Sequence, residues 1–129
     1  MSGVFLLLIT STAVIFILLQ WVISRQCKRS EGKMAPDTSE IDDLVKHSLR
    51  VYYFYSGNCG PCRKMTPLVD QLREQHTNLI KVNISEHAQL ARDFGATGVP
   101  CFMLVIDGRI AKVKLGRVSQ SWLTQCLTE

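Results

Sequence analysis

At 129 residues the chain has room for one domain and a short appendage. Most of its formal charge of +4 sits between residues 25 and 33, and the remainder is nearly neutral. Nothing in that remainder offers the clustered basic face with stacking aromatics that a nucleic-acid partner demands.

Residues 1–24 contain no charged side chain, and Val4 to Ile23 is interrupted only by Thr10, Ser11, Thr12 and Gln20. As a helix rising about 1.5 Å per residue, that run spans about 30 Å, the thickness of a bilayer's hydrocarbon core. Trp21 stands at its end, where an amphipathic ring favours the interface. A secretory signal would need a basic start, a shorter apolar core and a small-x-small cleavage site. Met-Ser-Gly and Ser24-Arg25-Gln26-Cys27 supply none of these. The expectation is an uncleaved anchor over residues 1–24, in the membrane through residues 4–23.

Arg25, Lys28, Arg29 and Lys33, opposed only by Glu31, form a basic collar. Cations beside a span tend to stay cytoplasmic, so the rest of the chain is expected in the cytoplasm. A periplasmic or extracytoplasmic placement is the alternative. Residues 25–38 read as collar and polar linker, with Gly32 and Pro36.

Residues 39–129 read as one domain. Thr38 or Ser39 is expected to cap a helix running to about Ser48, its apolar stripe being Ile41, Leu44, Val45 and Leu49. Arg50–Tyr55 is β-branched and aromatic without alternation, as in a strand buried on both faces. A helix is predicted from the cysteine pair, with Met65, Leu68, Val69 and Leu72 inward and a kink at Pro67. Leu79–Ile84 is a second strand. Ser85 is expected to cap a short helix, Ala88 to Phe94, ended by Gly95. Cys101–Ile106 and Arg109–Leu115 read as strands joined by a hairpin turn at Asp107-Gly108. Ser119 opens a last helix carrying Trp122, Leu123, Cys126 and Leu127. This order implies an α/β domain, a central mixed sheet with helices on both faces.

The chemistry concentrates in Tyr55-Ser-Gly-Asn-Cys-Gly-Pro-Cys-Arg-Lys-Met65. Zinc usually takes four ligands, commonly as two paired motifs. Here one Cys-x-x-Cys stands alone, and no metal is expected. A purely structural disulfide across two residues closes too small a loop to stabilise much. A redox pair fits better. At a helix start, unpaired N–H groups and the dipole favour the thiolate of Cys59, with Arg63 and Lys64 adding positive charge. Cys62, one turn on, is placed to resolve a mixed disulfide.

Cys59-Gly60-Pro61-Cys62 after a buried strand, Pro67 in the helix, Gly98-Val99-Pro100 before a strand and Gly116 after the hairpin together resemble the thioredoxin family. The resemblance covers about residues 39–129. It implies a thioredoxin fold and a cis peptide before Pro100 beside the cysteines. It also implies that backbone from residues 98–100 pairs with an incoming substrate chain. Cys59 would attack and Cys62 resolve. Such proteins reduce protein disulfides without a bound cofactor and are renewed by a dedicated reductase; here a thioredoxin-reductase-like or membrane electron donor would serve.

Three positions depart from the family pattern. Asn58 stands where tryptophan is usual. Tyr53 aligns with a buried aspartate that assists deprotonation of the resolving thiol, while Lys81 matches that aspartate's lysine partner. Cys101 replaces the usual threonine after the proline; a buried apolar filler or a third active-site thiol are both open readings. Cys126 reads as core, and Cys27 as a free thiol or an acylation site just past the span. The leading expectation is a membrane-tethered protein-disulfide reductase. The alternatives are a binding module with little turnover or, in an oxidising compartment, an oxidase, isomerase or cytochrome-maturation reductase.

Overall fold

The computed structural model describes residues 1–41 and 47–128. Its elements are α1 (Ser2–Lys28), β1 (Leu49–Tyr55), α2 (Gly60–Arg73), β2 (Leu79–Asn83), α3 (Ala88–Phe94), β3 (Cys101–Ile106), β4 (Arg109–Leu115) and α4 (Gln120–Thr128). The four strands form one sheet in the order β2-β1-β3-β4. β1 runs parallel to β2 and antiparallel to β3, and β4 returns antiparallel on β3. This is the mixed sheet expected. Most of the helix expected over residues 39–48 lies outside the described residues.

Alternate side chains of the buried strands feed two cores, because successive residues in a strand point to opposite faces. Tyr52, Phe54, Ile80, Val82, Met103 and Val105 pack on Ala91 and Phe94 of α3. On the other face Val51, Tyr53, Phe102 and Leu104 meet Met65, Val69 and Leu72 of α2 and Leu123 and Leu127 of α4. β1 and β3 are covered on both sides, which explains their unbroken apolar sequences.

The punctuation largely follows local chemistry. Asp107 and Gly108 both take positive φ, 51° and 78°, the geometry of the tight turn that suits a two-residue hairpin. Gly95 closes α3 in the left-handed conformation, and a Cβ there would collide with Ser30 Oγ. Ser119 Oγ accepts from the Trp122 amide at 3.2 Å and so caps α4. Ser85 does not cap α3, as the sequence suggested. Its amide donates to Asn83 Oδ1 at 3.0 Å, an Asx turn that uses the local polar group first, and His87 occupies the cap position without a side-chain bond.

Two differences concern the chain before the domain. α1 continues past Ser24 to Lys28. The polar stretch read as a linker is instead held along β4. Gly32 N–H donates to the Ile110 carbonyl at 2.7 Å, Ile110 N–H to Lys33 at 2.9 Å and Ala35 N–H to Gly108 at 2.8 Å. Glu31 Oε1 accepts from the Val113 amide at 3.0 Å. β4 is an edge strand with unpaired groups to satisfy, and a neighbouring polar segment can satisfy them. The apolar side chains from Val4 to Ile23 are exposed. α1 is long and apolar enough to cross a membrane.

Candidate functional site

β1 ends at Tyr55, and the turn Ser56-Gly57-Asn58 delivers the chain to the start of α2. Cys59 is the N-cap, with extended backbone, and its Sγ accepts from the Cys62 amide at 3.2 Å. A sulfur thus occupies the position where a capping oxygen usually satisfies the first free amides. Pro61 fills an early helical position where no donor is needed. Cys59 and Cys62 are joined as a disulfide. Cys62 is 1% exposed, whereas Cys59 is partly exposed and Asn58, Gly60 and Pro61 lie at the surface. Arg63 reaches back to the Gly57 carbonyl at 3.3 Å, a cation one turn from the disulfide.

The second wall comes from the loop before β3. The Val99–Pro100 bond is cis, and the Pro100 carbonyl accepts from the Gly116 amide at 2.7 Å. A cavity of about 470 Å³ lies between Pro61, the Gly98-Val99-Pro100 turn and Leu115. Its remaining side is formed by Gln20, Ile23 and Ser24 of α1. The apolar helix therefore walls the groove beside the cysteines. Sequence reasoning missed this, since nothing local links residues 20–24 to residues 98–116.

Beneath the disulfide lies Tyr53, which the family resemblance led one to expect at the site of a buried aspartate. It is fully buried and stacked between Phe102 and Tyr55, at 4.8 and 5.3 Å between centroids. Its hydroxyl donates to the Cys62 carbonyl at 3.1 Å and lies 3.1 Å from Thr66 Oγ1. Thr66 in turn donates to the same carbonyl at 2.9 Å. Burial pushes the Tyr53 phenol up, with a smaller opposing effect from the Thr66 hydrogen bond. The residue is a neutral brace for the helix start and no carboxylate substitute.

Lys81 is turned elsewhere. Its Nζ contacts Asp70 Oδ1 at 3.0 Å and lies 5.0 Å from the centre of the Tyr55 ring. Asp70, an ordinary exposed helix residue by sequence, is the partner that the alignment with a buried aspartate had hidden.

Cys101 is fully buried on the sheet face opposite α2, in the core that also holds Cys27. A hydrogen bond with the Cys27 thiol, together with burial, pushes the Cys101 thiol up. Cys126 lies in the core beneath α4.

The thioredoxin family model matches residues 34–129, and the chain belongs to the thioredoxin family. A thioredoxin of Pseudomonas aeruginosa is 33% identical over 95 residues, covering 70% of this chain and 88% of that protein. Thioredoxin 1 of Synechococcus elongatus is 31% identical over 95 residues, covering 70% and 89%. Among solved structures, a mutant thioredoxin from Halobacterium salinarum superposes with a TM-score of 0.62 at 27% identity, covering 73% of this chain and 84% of that one. With its joined Cys59–Cys62 pair, the chain is a thiol–disulfide oxidoreductase.

Proposed function

We propose that this oxidoreductase is a membrane-tethered reductase of protein disulfides that works at the bilayer surface. The observation that carries the reading is the shared groove: Pro61, the cis-proline turn and the end of α1 line one cavity. If residues 4–23 lie in the membrane, Gln20, Ile23 and Ser24 reach its interface, and the groove opens there. Arg25 rests on the Trp21 ring at 3.6 Å, a pairing suited to the headgroup zone.

In the proposed cycle the reduced Cys59 thiolate attacks one sulfur of a substrate disulfide. The substrate S–S bond breaks, its other sulfur leaves as a thiolate that takes a proton, and Cys59 carries a mixed disulfide. Cys62 then loses its proton to water and attacks Cys59 Sγ. The second substrate sulfur leaves as a thiol, and the Cys59–Cys62 disulfide is the oxidised product. Two electrons have passed to the substrate, and an external dithiol or membrane donor restores them. Gly98, Val99 and Pro100 hold the substrate strand by backbone pairing, while Gly60, Pro61 and Asn58 shape the exposed rim. The basic collar supports a cytoplasmic domain, where reduction is the favoured direction.

Two arms test the proposal. Full-length protein in detergent should catalyse dithiothreitol-driven reduction of insulin, with turnover at the uncatalysed rate in Cys59→Ser. In intact cells, after reduction, a membrane-impermeant maleimide should leave Cys59 unlabelled. Equal rates for wild type and variant overturn the reductase; labelling from outside overturns the orientation.

A further inference from the structure

The cysteine pair of the redox site is not the chain's only pair. Cys27, in the last turn of α1, and Cys101, the first residue of β3, are both fully buried in one core, and Cys27 lines one cavity with Leu115, the residue paired with Cys101 across the sheet; each thiol also shifts the other's ionisation. Most of the domain's sequence separates them. The Cys27 sulfur also lies 2.8 Å from Thr97 Oγ1, in the loop before the cis-proline. A structural filler has no use for so close a polar partner.

The pair is buried yet approachable. A cavity of about 220 Å³ is lined by Ser24, Cys27, Lys28, Val113, Lys114 and Leu115. It is large enough for a molecule little bigger than water, and two lysines stand at it. Lysine ammoniums and a hydroxyl beside a buried sulfur that borders a cavity favour its thiolate, the form a peroxide oxidises. A second thiol in the same core supplies the resolving partner.

We propose that Cys27 and Cys101 are a second redox dithiol, which a hydroperoxide converts into an intramolecular disulfide fastening the end of α1 to the cis-proline edge of the groove. Cys27, as thiolate, attacks one oxygen of hydrogen peroxide. The O–O bond breaks, hydroxide leaves and takes a proton, and Cys27 becomes a sulfenic acid. Cys101 Sγ then attacks Cys27 Sγ, the S–O bond breaks, and a second water leaves with the thiol's proton. Two thiols are oxidised and one peroxide is reduced to two waters. Cys101 directly follows Pro100, so the new bond pins the groove's wall to its floor. The step does not use Cys59 or Cys62.

The test uses the full-length wild-type protein with Cys59–Cys62 already closed, which leaves Cys27, Cys101 and Cys126 as thiols. After hydrogen peroxide treatment, unfolding and alkylation, the expected result is one alkylated cysteine, Cys126. Peptide mapping should find Cys27 joined to Cys101 within a single chain. In Cys101→Thr the same dose should carry Cys27 onward to the sulfinic acid, a gain of two oxygens, because no resolving thiol remains. Three alkylated cysteines in the wild type, a Cys27 bridge between chains, or an unmodified Cys27 in Cys101→Thr would each overturn the proposal.

Discussion

The hydroxyl of Tyr53 ends 3.1 Å from the carbonyl oxygen of Cys62, tying the buried end of the redox turn to the central strand. Thr66 donates to the same carbonyl, so the first turn of α2 is fastened from two sides. Tyr53→Phe keeps the stacked ring and removes one of these bonds, at a cost of about 1 kcal/mol. The lowered urea midpoint of the oxidised protein at pH 7 checks this.

The same residue sets an alkaline limit. Its phenol is raised by burial, so the folded protein keeps a proton that the unfolded chain releases. That contribution is complete below the ordinary tyrosine value of about 10 and is lost as pH rises through the folded value. Stability should therefore fall above about pH 10, and Tyr53→Phe should reduce the slope by one proton, about 1.4 kcal/mol per pH unit. Denaturation curves between pH 9 and 11 on both proteins measure it.

Lys81 is held by Asp70, whose side chain is 52% exposed, in a pair of the kind worth about 0–1 kcal/mol. Lys81→Met should lower stability by no more than that and change insulin reduction by less than about twofold, equivalent to about 0.4 kcal/mol in the barrier. Steady-state rates for the variant decide. A large loss would make Lys81 a participant in deprotonating Cys62.

The wall that α1 contributes should matter to large substrates. Ser24→Trp places an indole beside Leu115 and Pro100 in the groove. The expected effect is a fall of about tenfold in kcat/KM on insulin, equivalent to about 1.4 kcal/mol, with little change toward a small aromatic disulfide. Comparing the two substrates separates blockage from a general loss of reactivity.

In the α3 core, Phe94 lies 4.9 Å from Tyr52 and 5.2 Å from Phe54 between ring centroids. Phe94→Ala should cost about 3–5 kcal/mol through lost burial and the cavity left behind. Chemical denaturation measures it, and α2 with its disulfide, on the other face of the sheet, should keep its geometry.

What was legible in the sequence was local. Strand β3 announced itself as Cys-Phe-Met-Leu-Val-Ile, the hairpin as Asp107-Gly108, and the dithiol as Cys-Gly-Pro-Cys. Each signal is carried by residues adjacent in the chain. What stayed hidden depends on distant meetings. Glu31 bonds the Val113 amide across 82 positions, so residues 30–38 looked like linker although they satisfy an edge strand. Lys81 was read through a family aspartate, yet Tyr53 is turned to a carbonyl and Asp70 takes the ammonium. Ile23 and Ser24 read as the end of an apolar run, but only the folded chain sets them beside Pro100.

The central claim is that Cys59, the partly exposed sulfur at the helix cap, attacks while the buried Cys62 resolves. Full-length Cys62→Ser and Cys59→Ser, each reduced and mixed with a peptide carrying one disulfide, test it by mass spectrometry over time. Cys62→Ser should accumulate a stable peptide adduct on Cys59, and Cys59→Ser should react at least tenfold more slowly, in keeping with the burial of its remaining sulfur. Equal adduct formation by the two variants, or faster reaction at Cys62, would contradict the account.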